Sequence, residues 1–480
     1  MFATWRTYSF YGMPLNRLCS STIDRHREVS IGSRNERRTN AMDDIEGMPD
    51  LVFTTGETTR REILTGTAAI AAAFGATLEL AAEAQLRRQE AAKDARPVKC
   101  GFVGVGSQGT LMLRRALSVP GVEFVGICDI YEPNLRRALE LAPNAKGYKD
   151  YRALIDRKDV EAILIATPLY VHAPVAIAAL QAGKHVFCEK MMAYSIADAK
   201  RMARAAIAAK KILQIGHQRR SNVIYNHGWE LINKAKVCGK VTHVRAQWNR
   251  NGSWRRPVPK DTTDRHWNWR LYKDLSQGLM AELGSHQIHV ANWYLREVPC
   301  AVVGIGGIDY WKDGRTVFDN VEVIFEYPSG VKLNYTSLTT NQFDGFYEQF
   351  MGKDGTLIVS QSGGGQYYRE PTAQPEAWMK DPANKQTGPQ GQQGLKLDPE
   401  ATKKLGTTGV RVGERVIRGT VEGKDDYLLE MEDFFASIRT GAPVYCDYRD
   451  GLKACVAAIR ANEAMTKKTR IEIPPSDYMI

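Results

Sequence analysis

The sequence predicts an α/β protein with two domains, a parallel sheet with crossover helices followed by a single antiparallel or mixed sheet. From residue 98 of the 480-residue chain, short apolar runs alternate with helical segments, which is the pattern of a parallel sheet. After Gly239 most segments alternate apolar and polar residues and are separated by glycines, which predicts strands. The 43% of residues that are hydrophobic supply enough apolar material for two cores.

The composition excludes several other classes of protein. A charged fraction of 25% is ordinary for a globular protein, so disorder, collagen and coiled coil are excluded for the chain as a whole. The most apolar segment, residues 63–76, is too short and too interrupted by glycine to span a membrane, so we expect no membrane partner. The cysteine and histidine spacings do not indicate a structural metal, and we expect none in the site.

An export signal is predicted within the first hundred residues. Arg60 and Arg61 precede a short, weakly apolar segment that ends in an A-x-A site at residues 82–84, a pattern that resembles a twin-arginine signal. We therefore predict a signal peptide over residues 59–84 and an exported, periplasmic protein. If the leader is not used the protein stays cytoplasmic, and the alternative for this segment is an alanine-rich amphipathic helix.

The residues on both sides of this signal are predicted to lie outside the folded domains. Residues 1–58 form a predicted disordered extension, because the first part lacks apolar periodicity and the rest is acidic. Export signals stand near the N-terminus, so we hypothesise that translation begins at Met42 or Met48. Residues 85–97 are predicted to link the signal to the folded body.

A glycine-rich turn predicts a dinucleotide site. A strand, three glycines in G-x-G-x-x-G spacing and a helix follow one another, which is a much stronger signal than the glycines alone. Gly104 permits the tight turn, Gly106 lets the backbone approach a pyrophosphate, and Gly109 lets the helix pack close to the strand. The pyrophosphate would lie at the helix N-terminus, whose free N–H groups favour anions. The predicted residues of this turn are Gly104, Gly106, Ser107, Gln108 and Gly109.

The end of the second predicted strand favours NAD as the dinucleotide. This strand, residues 122–128, is followed by Asp129, about 20 residues beyond the last glycine of the turn. A carboxylate at this place accepts hydrogen bonds from the adenosine ribose. The next two residues are not basic, which favours NAD over NADP, although Arg136 and Arg137 are near enough in the sequence to leave NADP open.

Polar residues follow the later strands of the same predicted sheet. Ligands of open α/β sheets bind at the carboxyl ends of the strands. The residues that follow the fourth, fifth and sixth strands are therefore predicted to line the dinucleotide site. They are Thr167, Pro168, His172, Glu189, Lys190 and Gln218.

These motifs resemble those of the glucose-fructose oxidoreductase/inositol dehydrogenase family, often written Gfo/Idh/MocA, over residues 98 to about 474. The resemblance lies in the three glycines, the spacing from Thr167-Pro168 to His172, the stretch Ala182 to Val186, and Glu189-Lys190. In the family the last motif is usually Glu-Lys-Pro. Met191 is therefore a departure, which changes the turn without removing the lysine.

The resemblance implies an N-terminal Rossmann dinucleotide-binding domain and a C-terminal α/β domain with a large, open, mostly antiparallel sheet. We place the NAD-binding domain at residues 98–217 and the substrate and oligomerisation domain at residues 218–480, with late helices packing back on the first domain. In the family the open sheet commonly forms the oligomer interface, so we expect a homo-oligomer. The implied chemistry is hydride transfer between a bound nicotinamide and a carbon bearing a hydroxyl, usually on a sugar or cyclitol.

A basic, tryptophan-rich insertion lies after the first strand of the second half. Residues 245–274 contain eight Arg or Lys, three Asp and four of the nine tryptophans, so they carry nearly half of the chain's net charge of +11. Indoles stack on sugar rings, and guanidinium groups bind hydroxyls or carboxylates. The insertion therefore predicts a small carbohydrate substrate, and its charge favours an acidic one. The predicted substrate-binding residues are Trp248, Trp254, Arg255, Trp267, Trp269 and Arg270.

The composition of this insertion is also consistent with two roles other than sugar binding. The tryptophans would suit packing between domains or subunits. Interleaved basic and aromatic residues also suit nucleic acid, where bases stack and phosphates pair. No nucleic-acid motif accompanies them in the sequence, so we expect no nucleic-acid partner.

The segment 278–289 resembles the family's D-x-G-x-H-x-x-D element, whose residues face the nicotinamide. Glu282, His286 and His289 share one face of the predicted helix. His286 matches the family's histidine, Glu282 replaces its first acid, and His289 stands where the family commonly has Asp. Two alternatives are that the three side chains ligate a metal with open positions, and that His289 is an ordinary core residue.

Removal of a hydride from a carbinol carbon requires a base that accepts the hydroxyl proton. We predict that His286 is this base, that Lys190 positions or shares the proton, and that Glu282 or His289 orients the histidine. An exported enzyme cannot exchange NADH with a cytoplasmic pool, so we hypothesise a tightly bound cofactor. The main prediction is an NAD(P)-dependent sugar oxidoreductase. The alternatives are a redox-neutral glycosidase or lyase that works through a keto-sugar, and a non-catalytic sugar-binding protein.

The last part of the chain is predicted to contain a loop, two helices and a short strand. Residues 363–394 are rich in glycine and glutamine, which is typical of surface loop. The apolar spacing predicts helices over residues 424–440 and 451–467. Residues 470–474 are predicted to add an edge strand.

Overall fold

The computed structural model describes residues 86–90, 93, 96–361, 364–373 and 424–480, together with the backbone of 385–387 and 393–397. The predicted disordered extension and export signal lie outside these residues. Within the described part of the chain, no helix has the length and apolar character needed to cross a bilayer.

The first domain is a parallel sheet with helices between its strands. The strands are β1 (Val98–Val103), β2 (Val122–Cys128), β3 (Lys146–Tyr148), β4 (Ala162–Ile165), β5 (His185–Glu189) and β6 (Leu213–Gly216). The helices are α1 (Ser107–Leu117), α2 (Glu132–Leu141), α3 (Tyr151–Ile155), α4 (Leu169–Gln181) and α5 (Ile196–Ala209). The strand order β3-β2-β1-β4-β5-β6 is that of doubly wound dinucleotide-binding sheets.

Local sequence explains these elements. All four residues of β4 are buried, as expected for a strand covered by helices on both faces. The side chain of Ser195 accepts a hydrogen bond from the backbone N–H of Asp198 and caps α5. Helix α4 begins at Leu169, directly after Pro168, whose fixed φ suits the position before a helix.

The second domain is built on a larger sheet. Its strands are β7 (Val241–Asn251), β8 (Ala301–Gly307), β9 (Asn320–Glu326), β10 (Lys332–Leu338), β11 (Thr340–Gly352), β12 (Gly355–Ser360), β13 (Gly364–Arg369), β14 (Lys385–Thr387), β15 (Gln393–Leu397) and β16 (Ile471–Glu472). The order is β14-β15-β13-β12-β11-β7-β10-β9-β8-β16. Strands β7 and β10 are parallel and the other pairs are antiparallel, which confirms the predicted fold class.

One prediction for this sheet is wrong and another is confirmed. Within the glycine- and glutamine-rich region predicted as surface loop, residues 364–369 form β13 and pair with β12. Gly364, at a φ of +76°, reverses the chain into this strand, and Tyr367 is buried beneath it. The glycines hide the alternation in the sequence. The predicted C-terminal edge strand is present as β16.

The remaining helices come from the second half of the chain. They are α6 (Val223–Asn233), α7 (Asp264–Trp267), α8 (Ser285–Leu295), α9 (Asp426–Thr440), α10 (Tyr448–Lys467) and α11 (Pro475–Tyr478), with a π-helical turn at Met280–Gly284. Phe434 of α9 packs on Phe187 of β5, with ring centroids 5.8 Å apart. Gly451 of α10 lies so close to β6 that an added Cβ would be 2.5 Å from Ile215. The late helices therefore cover the first sheet.

The segment before β1 is also held against α9. Residues 86–90, within the predicted linker, are helical. Arg88 forms two hydrogen bonds with the carboxylate of Asp433, at 2.7 and 2.9 Å, and both side chains are largely buried.

Candidate active site

A cavity of about 750 Å³ lies along the carboxyl ends of the first sheet. Its inner wall comes from the loops after β1, β2, β4 and β5, and its outer wall comes from the segment that follows β7 and from the start of α8. Of the predicted site residues, all line this cavity except Gly109 and His289. Residues distant in the sequence therefore meet in one place.

The glycine turn has a geometry that fits a dinucleotide. Gly104 has a φ of +87°, a backbone conformation that favours glycine. A Cβ at Gly109 would lie 2.0 Å from the backbone oxygen of Gly104, so α1 packs directly on the turn. A Cβ at Gly106 would meet nothing nearer than Asn134 Nδ2 at 4.0 Å. The backbone of Gly106 is therefore open to the cavity, where a pyrophosphate needs close approach.

Asp129 is held at the mouth of the same turn. Its carboxylate accepts hydrogen bonds from the backbone N–H groups of Val105 and Tyr131, at 2.9 and 2.8 Å. Burial raises the pKa of this carboxyl. Arg137 lines the cavity nearby and donates to Asn134, whereas Arg136 is outside the cavity lining.

Two buried side chains connect the loops of the inner wall. The ring nitrogens of His172 lie 3.0 Å from the backbone oxygens of Thr167 and Met191, so His172 ties the loop after β4 to the loop after β5. Burial lowers the pKa of His172. Glu189 accepts a hydrogen bond from Gln108 at 2.8 Å, which ties the loop after β5 to the glycine turn. Burial raises the pKa of Glu189.

Lys190 reaches from the first domain to the π-helical turn of the second. Its Nζ donates to the backbone oxygen of Glu282 at 2.9 Å. The Glu282 carboxylate accepts from Nε of Arg270 at 2.9 Å. Burial by itself would raise the pKa of Glu282, but the charges of Arg270 and Lys190 outweigh it and the pKa is lowered. Glu282 is therefore an ionised partner for the two cations.

His286 faces the cavity from the first turn of α8. It is only 4% exposed, and its Nδ1 has no hydrogen-bond partner among the described residues. Its ring centroid lies 5.5 Å from that of Trp248 and 5.7 Å from that of His217. Burial, followed by the charges of Lys190 and Arg219, lowers the pKa of His286 well below 6.5. The imidazole is therefore neutral near neutral pH and able to accept a proton.

His289 lies one turn deeper and does not reach the cavity. A spacing of three residues advances it about 4.5 Å along the helix axis. Its ring stacks on His217 at 4.3 Å, and its Nε2 lies 3.6 Å from Sγ of Cys446. The grouping of Glu282, His286 and His289 as metal ligands does not form, because the Glu282 carboxylate is paired with Arg270 and His289 points elsewhere.

A ring nitrogen of His289, Sγ of Cys446 and a carboxylate oxygen of Asp450 do lie within 4.8 Å of one another. The Asp450 carboxylate is already paired with Arg220, at 3.3 Å, and with Lys453, at 3.5 Å.

The predicted substrate platform is spread along the cavity rather than gathered at one point. Trp248 lies beside His286 and stacks on Phe346, with centroids 4.6 Å apart. Trp267 instead packs edge-on against Tyr131, at 5.3 Å, close to Asp129. The remaining predicted side chains have partners within the second domain. Trp254 lies against Arg250, and Arg255 pairs with Asp264. Trp269 lies against Arg270, which is itself paired with Glu282.

Sequence reasoning missed three residues near the site. Arg219 is 1% exposed, pairs with Glu348, and lies 5.3 Å from the Trp248 ring. Arg250 lines the cavity, and burial lowers its pKa. Tyr427 of α9 also lines the cavity, and its hydroxyl accepts from Gln218 at 3.3 Å. The basic insertion was a signal for Arg250, but the sequence around Tyr427 carries none.

Two protein-family models together match most of the chain. "Oxidoreductase family, NAD-binding Rossmann fold" (GFO_IDH_MocA) matches residues 98–217, and "Oxidoreductase family, C-terminal alpha/beta domain" matches residues 232–473.

Individual proteins are similar at lower coverage or lower identity. Inositol 2-dehydrogenase of Salmonella paratyphi B is 35% identical over 204 residues, 42% of this chain and 55% of that protein, so the match spans about half the relative's length. Glycosyl hydrolase family 109 protein 1 of Shewanella sp. (strain MR-4) is 29% identical over 189 residues, 36% of this chain and 39% of that protein. A structure of levoglucosan dehydrogenase in complex with NADH and levoglucosan has a TM-score of 0.64 at 18% identity, over 79% of this chain and 100% of that one, which shows the shared fold.

Proposed function

The chain belongs to the Gfo/Idh/MocA oxidoreductase family, and from that premise we propose that it oxidises a hydroxyl of a sugar or sugar derivative by hydride transfer to bound NAD. The observation that carries this proposal is the convergence of Lys190, Glu282 and His286 in the cavity that also contains the glycine turn and Asp129. The similarity to a relative named inositol 2-dehydrogenase supports a polyol substrate.

When bound, NAD supplies the hydride acceptor, and the protein must supply the proton acceptor and the alignment. His286 is the base, because its neutral imidazole faces the cavity and can take the hydroxyl proton. Lys190 hydrogen-bonds the substrate oxygen and holds the π-helical turn through the Glu282 oxygen. Arg270 keeps Glu282 ionised beside them. His217, which contacts the ring of His286, and not His289, is the neighbour that orients the base.

Trp248 and Arg270 are proposed to bind the sugar, because both lie beside the Lys190–His286 end of the cavity. The guanidinium of Arg270 would favour an acidic sugar only if the substrate displaced it from Glu282. Asp129 is proposed to accept hydrogen bonds from the ribose of NAD. NADP stays an alternative, since Arg137 also lines the cavity.

A redox-neutral reaction is the second candidate. The relative named glycosyl hydrolase family 109 protein 1 favours it. In such a reaction bound NAD would accept a hydride from the sugar and give it back at the end. Between these steps the keto group acidifies the neighbouring C–H, a base takes that proton, and the glycosidic oxygen leaves as an alcohol. Water would then add to the double bond in a glycosidase, whereas a lyase would leave the double bond in place. The same base and lysine would serve both halves, and a tightly bound NAD would not need to exchange between turnovers. A non-catalytic sugar-binding role is the third candidate.

Export and oligomerisation are further parts of the proposal. Arg60 and Arg61 support secretion by the twin-arginine route. The outward face of the second sheet exposes Val303, Ile305 and Ile324, and the Ile305 side chain is 78% exposed. Exposed apolar side chains on one sheet face support a homo-oligomer through that face. N-terminal sequencing of the secreted protein and light scattering would test these two parts separately.

The purified protein should be incubated with NAD and a panel of polyols, aldoses, uronates and aryl glycosides. We expect NADH to accumulate with a polyol, aldose or uronate if the enzyme is a dehydrogenase. Release of the aryl group without net NADH would instead establish the redox-neutral reaction. Binding of NAD and sugar without turnover on any substrate would overturn both catalytic proposals in favour of the third.

A further inference from the structure

The segment between β7 and the π-helical turn crosses the outer side of the cavity. We call residues 252–271 the strap. It runs from the end of β7 through α7 and back to the second domain, and it lines the cavity along much of its length. The glycine turn and Asp129 line the opposite wall. A dinucleotide on the first domain would therefore lie between the Rossmann sheet and the strap.

The strap contacts the first domain at the two places where a dinucleotide binds. Nη1 of Arg256 donates to the hydroxyl of Ser107, the first residue of α1, at 3.1 Å. The indole of Trp267 packs edge-on against Tyr131, two residues after Asp129, with centroids 5.3 Å apart. The hydroxyl of Tyr131 also donates to Asp261 at 3.3 Å. These contacts close the cleft over the glycine turn and over the ribose position.

The strap is held in shape by its own side chains. Asn268 is buried, accepts a hydrogen bond from the backbone N–H of Arg256 at 2.9 Å, and donates to the backbone oxygen of Arg256 at 3.0 Å. The guanidinium of the buried Arg315 donates to the backbone oxygen of Ser253 at 2.7 Å. Leu271 is fully buried at the other end. The position of Arg256 is therefore set by the second domain, independently of its contact with Ser107.

Arg256 differs from the other arginines of the strap in its charge environment. Arg255, Arg265 and Arg270 are each paired with a carboxylate, of Asp264, Asp274 and Glu282 respectively. Within the described part of the chain, Arg256 has no ion pair, and its side chain bonds only to Ser107. The first N–H groups of α1, where the family's pyrophosphate lies, face the same space. An unpaired guanidinium at that point matches an anionic, fork-accepting group.

We infer that Arg256 binds the pyrophosphate of the dinucleotide from the second domain, so that the strap encloses the cofactor and slows its release. The inference rests on the proposed function, because it needs NAD as the occupant of the cleft. It reassigns the part of the insertion around Arg256 and Trp267 from the substrate to the cofactor. Release of the dinucleotide would require the strap to separate from Ser107 and Tyr131.

The rate of NADH release tests this without any sugar. The full-length protein is loaded with NADH and chased with excess NAD, and the loss of bound-NADH fluorescence is followed. Loss of a charge-assisted hydrogen-bond pair should speed release about 10- to 100-fold in Arg256→Ala. Arg256→Lys should fall between, because a lysine keeps the charge without the fork. Lys260→Ala, an exposed strap residue outside the cavity lining, is the matched control and should release NADH at the wild-type rate.

Salt dependence provides a second measurement, which compares how the release rate of each protein changes with ionic strength. Release from the wild type should accelerate with ionic strength, since an exposed guanidinium–phosphate contact is screened, and Arg256→Ala should lose this dependence. Equal release rates in the wild type and Arg256→Ala would overturn the inference and leave the proposed function standing. Failure of the wild type to bind NADH at all would overturn both.

Discussion

The ammonium nitrogen of Lys190 lies 2.9 Å from the backbone oxygen of Glu282. This hydrogen bond joins the loop after β5 to the π-helical turn that precedes α8. The two domains therefore contact each other at the Lys190 side chain, which we expect to touch the substrate. π-helical turns of this kind are frequent at functional sites. His286 follows the turn directly. The position of the base relative to the cofactor cleft therefore depends on a lysine of the other domain.

Replacing Lys190 should separate catalysis from cofactor binding. Lys190→Met removes the ammonium but keeps most of the side-chain volume, and we expect turnover to fall by about 100- to 10,000-fold. The NADH dissociation constant should stay close to that of the wild type, because the glycine turn and Asp129 are unchanged. Steady-state kinetics and fluorescence titration measure the two quantities. The exposed Lys240→Met serves as control, and undiminished turnover in Lys190→Met would remove the lysine from the mechanism.

His286 and His289 should differ in their effect on activity. His286→Ala removes the proposed base, so kcat should fall by about 100-fold or more. His289→Phe keeps a ring stacked on His217 behind the cavity, so it should retain most activity. Comparison of kcat for the two variants checks the assignment. Equal losses of kcat in the two variants would mean that His286 depends on the stacked rings of His217 and His289 for its role as base.

The buried histidines should make the protein sensitive to acid. His217, His286 and His289 all have a pKa well below 6.5, primarily through burial. Below that pH the unfolded chain binds protons that the folded protein does not. As the pH is lowered, the free energy of unfolding should therefore fall by up to about 1.4 kcal/mol per pH unit for each histidine.

Thermal unfolding between about pH 7.5 and about pH 5.5 checks this slope. The double variant His217→Phe/His289→Phe should flatten it, whereas replacement of the exposed His243 by Phe should not. A slope that is unchanged in the double variant would place the acid sensitivity elsewhere.

Asp129 should determine both the affinity and the choice of dinucleotide. Removing its carboxylate in Asp129→Ala deletes the proposed ribose acceptor and relieves repulsion of a 2′-phosphate, so NAD binding should weaken about 10-fold or more while NADP binding does not. Titration of both dinucleotides gives the ratio of the two dissociation constants. A ratio equal to that of the wild type would contradict the role of Asp129. Asp159→Ala, on the surface loop before β4, is a suitable control.

Sequence patterns predicted the first domain well, and the second only in outline. The strand predicted over residues 122–128 has the same bounds in the structure, because buried parallel strands are continuous apolar runs between helices. Strand β13 was missed, because glycines replace the alternating side chains that mark a strand. The mostly antiparallel sheet itself was expected from the family resemblance and from alternation along β7 and β8 to β10.

The glycine turn, Asp129, Lys190 and His286 could be assigned to one site from the sequence. For the glycine turn, Asp129 and Lys190 this was possible because a doubly wound sheet brings the carboxyl ends of its strands to one edge, whatever the loops contain. His286, in the second domain, was assigned to the site through the family resemblance. Only the tertiary structure shows that His289 stacks on His217 outside the cavity, and that Trp248 and Trp267 lie near different ends of it. Those positions depend on how the second domain packs against the first, through contacts between residues more than a hundred positions apart, such as that of Arg256 with Ser107. Local spacing carries no record of such contacts.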